Sequence, residues 1–158
     1  SMVANLCAGF GEQVPGSSSQ AYTFPTPEAL ASASEAELRA AKLGFRAPWI
    51  SEIAGMVAGG GLDFASWDGR DDVAALRKEL LALPGVGSYA ANHLLMTLGH
   101  YGFVPADTEA ASHLGMPPGS TTRDIEREAA RRYAAWGDYA FLAYRFERAQ
   151  AMGRLGSN

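Results

Sequence analysis

Apolar positions along this chain recur at helical spacing, and the breaks between them carry helix start and stop signals. Thr26 followed by Pro27 reads as an N-cap and first helical residue ahead of Leu30. Ser34-Glu35-Ala36-Glu37 is a capping box opening a second helix toward Leu38, with Gly44 as its stop. Ala47 to Val57 forms a third helix closed by Gly59-Gly60-Gly61. Asp71 or Asp72 starts a fourth, whose Val73, Leu76, Leu80 and Leu81 share one face. Ser88 to Leu98, Asp107 to Leu114, Thr122 to Tyr133 after a Thr121 cap, and Tyr139 to Met152 complete the series. No segment alternates with period two between hairpin turns, so the fold class is all-α.

The amino end reads differently. Val3 to Phe10 resembles the last turns of a helix running into Gly11 with no cap ahead of it, and Ser1-Met2 reads as a cloning remnant. The expectation is a single domain over residues 1–158 that lacks an N-terminal part, with a frayed natural terminus as the other reading. Gly16-Ser17-Ser18-Ser19 is the one low-complexity linker.

With 158 residues, 47% hydrophobic and 19% charged, the composition is that of a globular domain with a sizeable core. The longest uncharged stretch, Ala82 to Ala106, is broken by Pro84, Asn92, His93, His100 and several glycines. It does not supply the roughly 20 continuous apolar residues a membrane helix needs. A single cysteine, Cys7, excludes an intrachain disulfide framework, a four-thiolate Fe–S cluster and a multi-cysteine zinc site. His93, His100 and His113 have no metal-ligand spacing and read as structural or surface residues. These features point to a cytosolic protein and to no membrane partner.

The net charge of −4 argues against a generic nucleic-acid binder. Its distribution is uneven: the one basic excess runs from Arg123 to Arg154, seven arginines against five acids, and fits a solvated helix face.

The segment richest in information is Leu81-Ala82-Leu83-Pro84-Gly85-Val86-Gly87-Ser88-Tyr89-Ala90-Ala91-Asn92. A helix stops at Pro84, turns through two glycines and restarts at Ser88, so residues 81–98 form a helix-hairpin-helix. Glycines allow positive φ or close backbone approach, and a fresh helix start offers free N–H groups and the positive end of the dipole. Phosphate can bind such an end without basic side chains, so an acidic chain can still hold a phosphate through its backbone. An ordinary αα-hairpin is the plainer reading of the same turn.

This hairpin, with Asp107 standing 20 residues beyond Gly87, resembles the helix-hairpin-helix DNA glycosylase superfamily marked by a Gly/Pro-rich loop and a following aspartate. Phe24-Pro25-Thr26-Pro27 through Leu43-Gly44-Phe45-Arg46-Ala47, and Trp136-Gly137-Asp138-Tyr139, are similar to its 3-methyladenine and 8-oxoguanine branches, which extends the likeness over about residues 5–150. The resemblance implies an enzyme that flips a damaged base from double-stranded DNA and hydrolyses its N-glycosidic bond, working as a monomer. It implies Asp107 as the catalytic carboxylate, against a plain N-cap role. Pro84, Gly85, Val86, Gly87 and Ser88 would hold the DNA backbone. Main-chain carbonyls of Leu81, Leu83 and Val86 would hold a monovalent cation. No other cofactor is implied.

Tyr89 stands where the glycosylase/lyases of the superfamily carry a Schiff-base lysine. A phenol forms no imine, and both lysines, Lys42 and Lys78, precede the hairpin, so the expected activity is monofunctional. Tyr89 either stacks on an extruded base or packs as a hairpin residue; Trp136 and Tyr139 are further candidates for a base pocket, or core residues at helical spacing. The expected substrate is an alkylated purine such as 3-methyladenine, with 8-oxoguanine as the runner-up. A non-catalytic helix-hairpin-helix module is the rival from another class, and a purely structural helical domain a third. The chain as it stands is expected to bind lesion DNA weakly and to turn over slowly or not at all without upstream residues.

Overall fold

The computed structural model describes residues 1–16 and 21–153; the Ser17–Ser19 part of the expected linker and Arg154 lie outside them. The described residues hold nine α-helices and no strand, and the one β-type pairing is an isolated antiparallel bridge between Gln13 and Tyr22. No helix among them is long and apolar enough to cross a membrane.

The chain is organised in two compact units, one of Ser1–Ser66 with Leu83–Gly85 and one of Trp67–Ala82 with the described residues from Val86 onward. The hairpin's residues are therefore divided between the two units, a division that no composition change in the sequence marks.

The first unit contains α1 (Met2–Phe10), α2 (Pro27–Ser32), α3 (Glu35–Ala40) and α4 (Ala47–Ala58). Leu6, Leu30, Leu38, Leu43, Ala47 and Ala54 form its core, and α2 packs on α4. Thr26 caps α2 through Ala29 N–H, and Ser34 with Glu37 closes a reciprocal capping box on α3. Two expectations are corrected. α1 is capped after all, because the Ser1 hydroxyl accepts from Ala4 N–H. α3 ends at Ala40 rather than at Gly44; Lys42 takes the left-handed conformation (φ 66°), and Gly44 (φ 58°) opens a short 3-10 turn, Gly44–Arg46.

The second unit contains α5 (Val73–Leu81), α6 (Ser88–Thr97), α7 (Thr108–His113), α8 (Thr122–Arg132) and α9 (Ala140–Ala151). Asp72, Asp107 and Thr121 cap α5, α7 and α8, each by accepting a first-turn N–H. A core of Val104, Ala106, Ala110, Leu114, Ile125, Ala129, Tyr133, Ala140, Phe141 and Tyr144 joins the last three helices. α5 and α6 pack together, turning Leu76 and Leu80, and Ala91, Asn92 and Leu95, inward. Tyr139 belongs to the 3-10 stretch Ala134–Tyr139, kinked at Gly137 (φ 51°), and not to the helix that follows.

Candidate active site and phosphate-binding hairpin

Asp107 ends an extended approach through the buried residues Val104, Pro105 and Ala106. Its own backbone is extended (φ −126°, ψ −179°), the geometry of an N-cap. Its Oδ1 accepts from Ala110 N–H at 2.7 Å, which fixes the carboxylate at the start of α7. The same side chain lines a cleft of about 380 Å³.

The other walls of that cleft come from α6, α7 and α9. Tyr89, His93 and Met96 contribute from α6, Glu109 from α7, and Phe141, Tyr144, Arg145 and Arg148 from α9. Tyr89 is half exposed, with its ring tilted against His93 at a centroid distance of 4.3 Å. His93 Nδ1 lies 3.1 Å from the Tyr89 carbonyl, so the pair is held as a unit on successive turns. Tyr144 forms the floor: it is buried, packs edge-on against His113, and burial pushes its hydroxyl above the usual tyrosine range. Arg148 is held against Glu109 at 2.6 Å. The walls include two arginines and no lysine, and both Lys42 and Lys78 are exposed elsewhere on the chain.

Sequence reasoning missed His93 as a cleft residue, since a lone histidine on a helix gives no spacing signal. It also grouped Trp136 and Tyr139 with Tyr89. The structure separates them: Trp136 and Tyr139 are about 60% exposed and line a different, apolar groove with Tyr133, Leu142 and Phe146. Identical helical spacing does not reveal which face an aromatic occupies.

The hairpin carries two glycines in different states. Gly85 has φ 70°, and a Cβ built there would lie 2.3 Å from Trp49 Cε3. Gly87 is extended (φ −93°, ψ −179°), and a Cβ there meets nothing within 4 Å. Gly87 is also the N-cap of α6 and supplies no side chain, so the first N–H groups of that ten-residue helix have no side-chain cap. α4 and α9 likewise have no side-chain cap, whereas α1, α2, α3, α5, α7 and α8 are capped by a serine, threonine or aspartate.

Ser88 faces inward. Its hydroxyl donates to Glu126 Oε1 at 2.6 Å and accepts from Arg77 Nη2 at 2.7 Å, so the α6 end offers backbone amides, not this hydroxyl. Asn92 is buried in the same network rather than bonded to nearby backbone. Among the described residues no group of three His, Cys, Asp or Glu side chains is placed to hold a metal ion.

No protein-family model and no curated protein matches the sequence. Solved structures do. The chain is similar to MBOgg1 in complex with a low-affinity DNA ligand, at 26% identity and a TM-score of 0.76 over 96% of this chain and 53% of that one. It is similar to the 8-oxoguanine glycosylase/lyase of Clostridium acetobutylicum bound to double-stranded DNA with cytosine opposite 8-oxoG, at 21% identity, a TM-score of 0.77 and the same coverages of 96% and 53%. A 3-methyladenine DNA glycosylase from Archaeoglobus fulgidus matches at 24% identity and a TM-score of 0.56, over 92% of this chain and 51% of that one. The chain spans about half the length of these glycosylases. These likenesses, at TM-scores of 0.56 to 0.77, show that the chain has the fold of the helix-hairpin-helix DNA glycosylase superfamily.

Proposed function

We propose that this chain carries the catalytic residues of a monofunctional base-excision N-glycosylase, which hydrolyses the base–sugar bond of a flipped alkylated purine such as 3-methyladenine. The observation that carries the reading is the cleft in which Asp107, fixed by Ala110 N–H, stands with Tyr89 on the opposing helix. Cleavage of a glycosidic bond builds positive charge on the sugar, and a carboxylate held beside it lowers the energy of that oxocarbenium-like state. The half-exposed Tyr89 ring offers a stacking face for an extruded base. Arg145 adds positive charge beside the carboxylate, suited to a phosphate that flanks a flipped nucleotide, while Arg148 is balanced by Glu109. The reaction needs a water as nucleophile, because the cleft holds no amine able to form an imine.

Duplex DNA is the partner this reading requires. The uncapped amides at the start of α6 hold one phosphate without basic side chains. A monovalent cation on the carbonyls of Leu81, Leu83 and Val86 would add positive charge to the same turn.

The higher TM-scores of the 8-oxoguanine glycosylases favour a second substrate, 8-oxoguanine, within the same activity. Release of free base from duplexes carrying 3-methyladenine or 8-oxoguanine separates the two. Release of the alkylated base alone supports the first reading, release of 8-oxoguanine supports the second, and release of neither overturns both.

A further inference from the structure

Four side chains from three helices of the second unit meet beneath the start of α6. Arg77 on α5 donates from Nε to Asn92 Oδ1 at 2.9 Å and from Nη2 to Ser88 Oγ at 2.7 Å and Glu126 Oε1 at 3.1 Å. Glu126 Oε1, on α8, also accepts from Ser88 Oγ at 2.6 Å and from Asn92 Nδ2 at 3.3 Å. The Phe103 ring lies 5.3 Å from the Arg77 guanidinium carbon.

The arrangement has an electrostatic consequence. Ser88 is the first residue of α6, so the Glu126 carboxylate sits within the first turn of that helix. A carboxylate there satisfies the helix dipole and repels any second anion that approaches the same amides. Arg77 cancels that charge while its bonds to Ser88 and Asn92 fix the helix that carries the amides. Both partners are only partly exposed (23% and 29% of the side chain), so solvent does not fully screen either charge.

We propose that Arg77 and Glu126 are positioning residues for phosphate recognition: the pair orients the first turn of α6, and Arg77 keeps the Glu126 charge from competing with a DNA phosphate. The inference rests on the DNA-binding reading above for its second half, and on the structure of the free chain for its first.

The test is a double-mutant cycle of Arg77→Met, Glu126→Gln and the two combined. Affinity for a duplex bearing a stable abasic-site analogue is measured against salt, with thermal unfolding and amide hydrogen exchange of Ser88, Tyr89 and Ala90 on the same proteins. Arg77→Met should weaken binding about tenfold, because it exposes the phosphate to an uncompensated carboxylate. Glu126→Gln should bind at least as tightly as the parent, and the double variant should recover to within about threefold of it. Exchange at the three amides should quicken in Arg77→Met beyond the change in global stability. Equal binding by Arg77→Met and the parent, or a double variant as weak as Arg77→Met, would overturn the charge-balancing role. Unchanged exchange would overturn the positioning role. A parent that binds no duplex would instead defeat the DNA-binding reading, and the exchange measurement would still decide whether the pair orders α6.

Discussion

Gly85 lies against the face of Trp49, so close that an added Cβ would fall within 2.8 Å of three indole atoms. Its φ of 70° adds a second penalty for any L side chain. Gly85→Ala should therefore destabilise the fold by roughly 2–4 kcal/mol, from overpacking and left-handed strain together. Denaturant unfolding measures it. Stability unchanged within about 0.5 kcal/mol would mean that the hairpin does not rest on Trp49 as described.

Gly87 presents the opposite case. It is extended and faces open space, so Gly87→Ala should leave the fold intact, with stability within about 0.5 kcal/mol of the parent. The methyl group would stand where the backbone must approach a phosphate, and DNA binding should weaken equally for all sequences. Titrations with several unrelated duplexes check this. Parent-like affinity in a folded Gly87→Ala variant would show that the hairpin does not touch DNA.

Tyr89 bears on the chemistry. No lysine lines the Asp107 cleft, so borohydride added during turnover should trap no covalent protein–DNA adduct. The amino terminus is blocked in a control reaction, since a free α-amine is itself a potential nucleophile. Trapping that survives the block and keeps pace with base release would refute a monofunctional mechanism.

Glu147 on α9 links stability to pH. Arg132 first, and then the Tyr133 hydroxyl at 2.6 Å, hold its carboxyl below the usual carboxylate value of 4.5. A depressed folded-state value contributes stability above pH 4.5 that is lost as the pH falls through the folded value. Glu147→Gln should lower the unfolding midpoint at neutral pH and converge on the parent in acid. The difference should be no more than about 1 kcal/mol, because this carboxylate is partly solvated. Parallel curves for the two proteins across the acid range would remove Glu147 from the linkage.

Much of this architecture is written locally. Thr26, Ser34, Asp107 and Thr121 announce helix starts because a cap is made within three residues, and the structure has all four; of Asp71 and Asp72, it is Asp72 that caps α5. The hairpin and Asp107 are legible for the same reason: a turn and a cap each need a particular residue at a particular place. Contacts between distant segments are not legible. Arg77 and Glu126 stand 49 residues apart and look in sequence like two members of solvated helix faces. Ser88 reads as a hairpin residue aimed at DNA, yet its hydroxyl is engaged inward by those two side chains. Tyr89, Trp136 and Tyr139 are equally aromatic, and only the packing of α9 against its neighbours decides that Tyr89 shares a cleft with Asp107. The 3-10 turns at Phe64–Trp67 and Ala134–Tyr139 are too short to generate a periodic pattern.

In the proposed function Asp107 carries the chemistry while also capping α7. Asn caps a helix as well as Asp, so Asp107→Asn retains the bond from Ala110 N–H and removes the negative charge. The decisive measurement is single-turnover release of free base by parent and Asp107→Asn on the same lesion duplex, with DNA affinity and unfolding midpoint determined alongside. Release should fall by about a hundredfold to a thousandfold, while affinity and stability stay near those of the parent. Parent-like base release by Asp107→Asn would contradict the assignment directly.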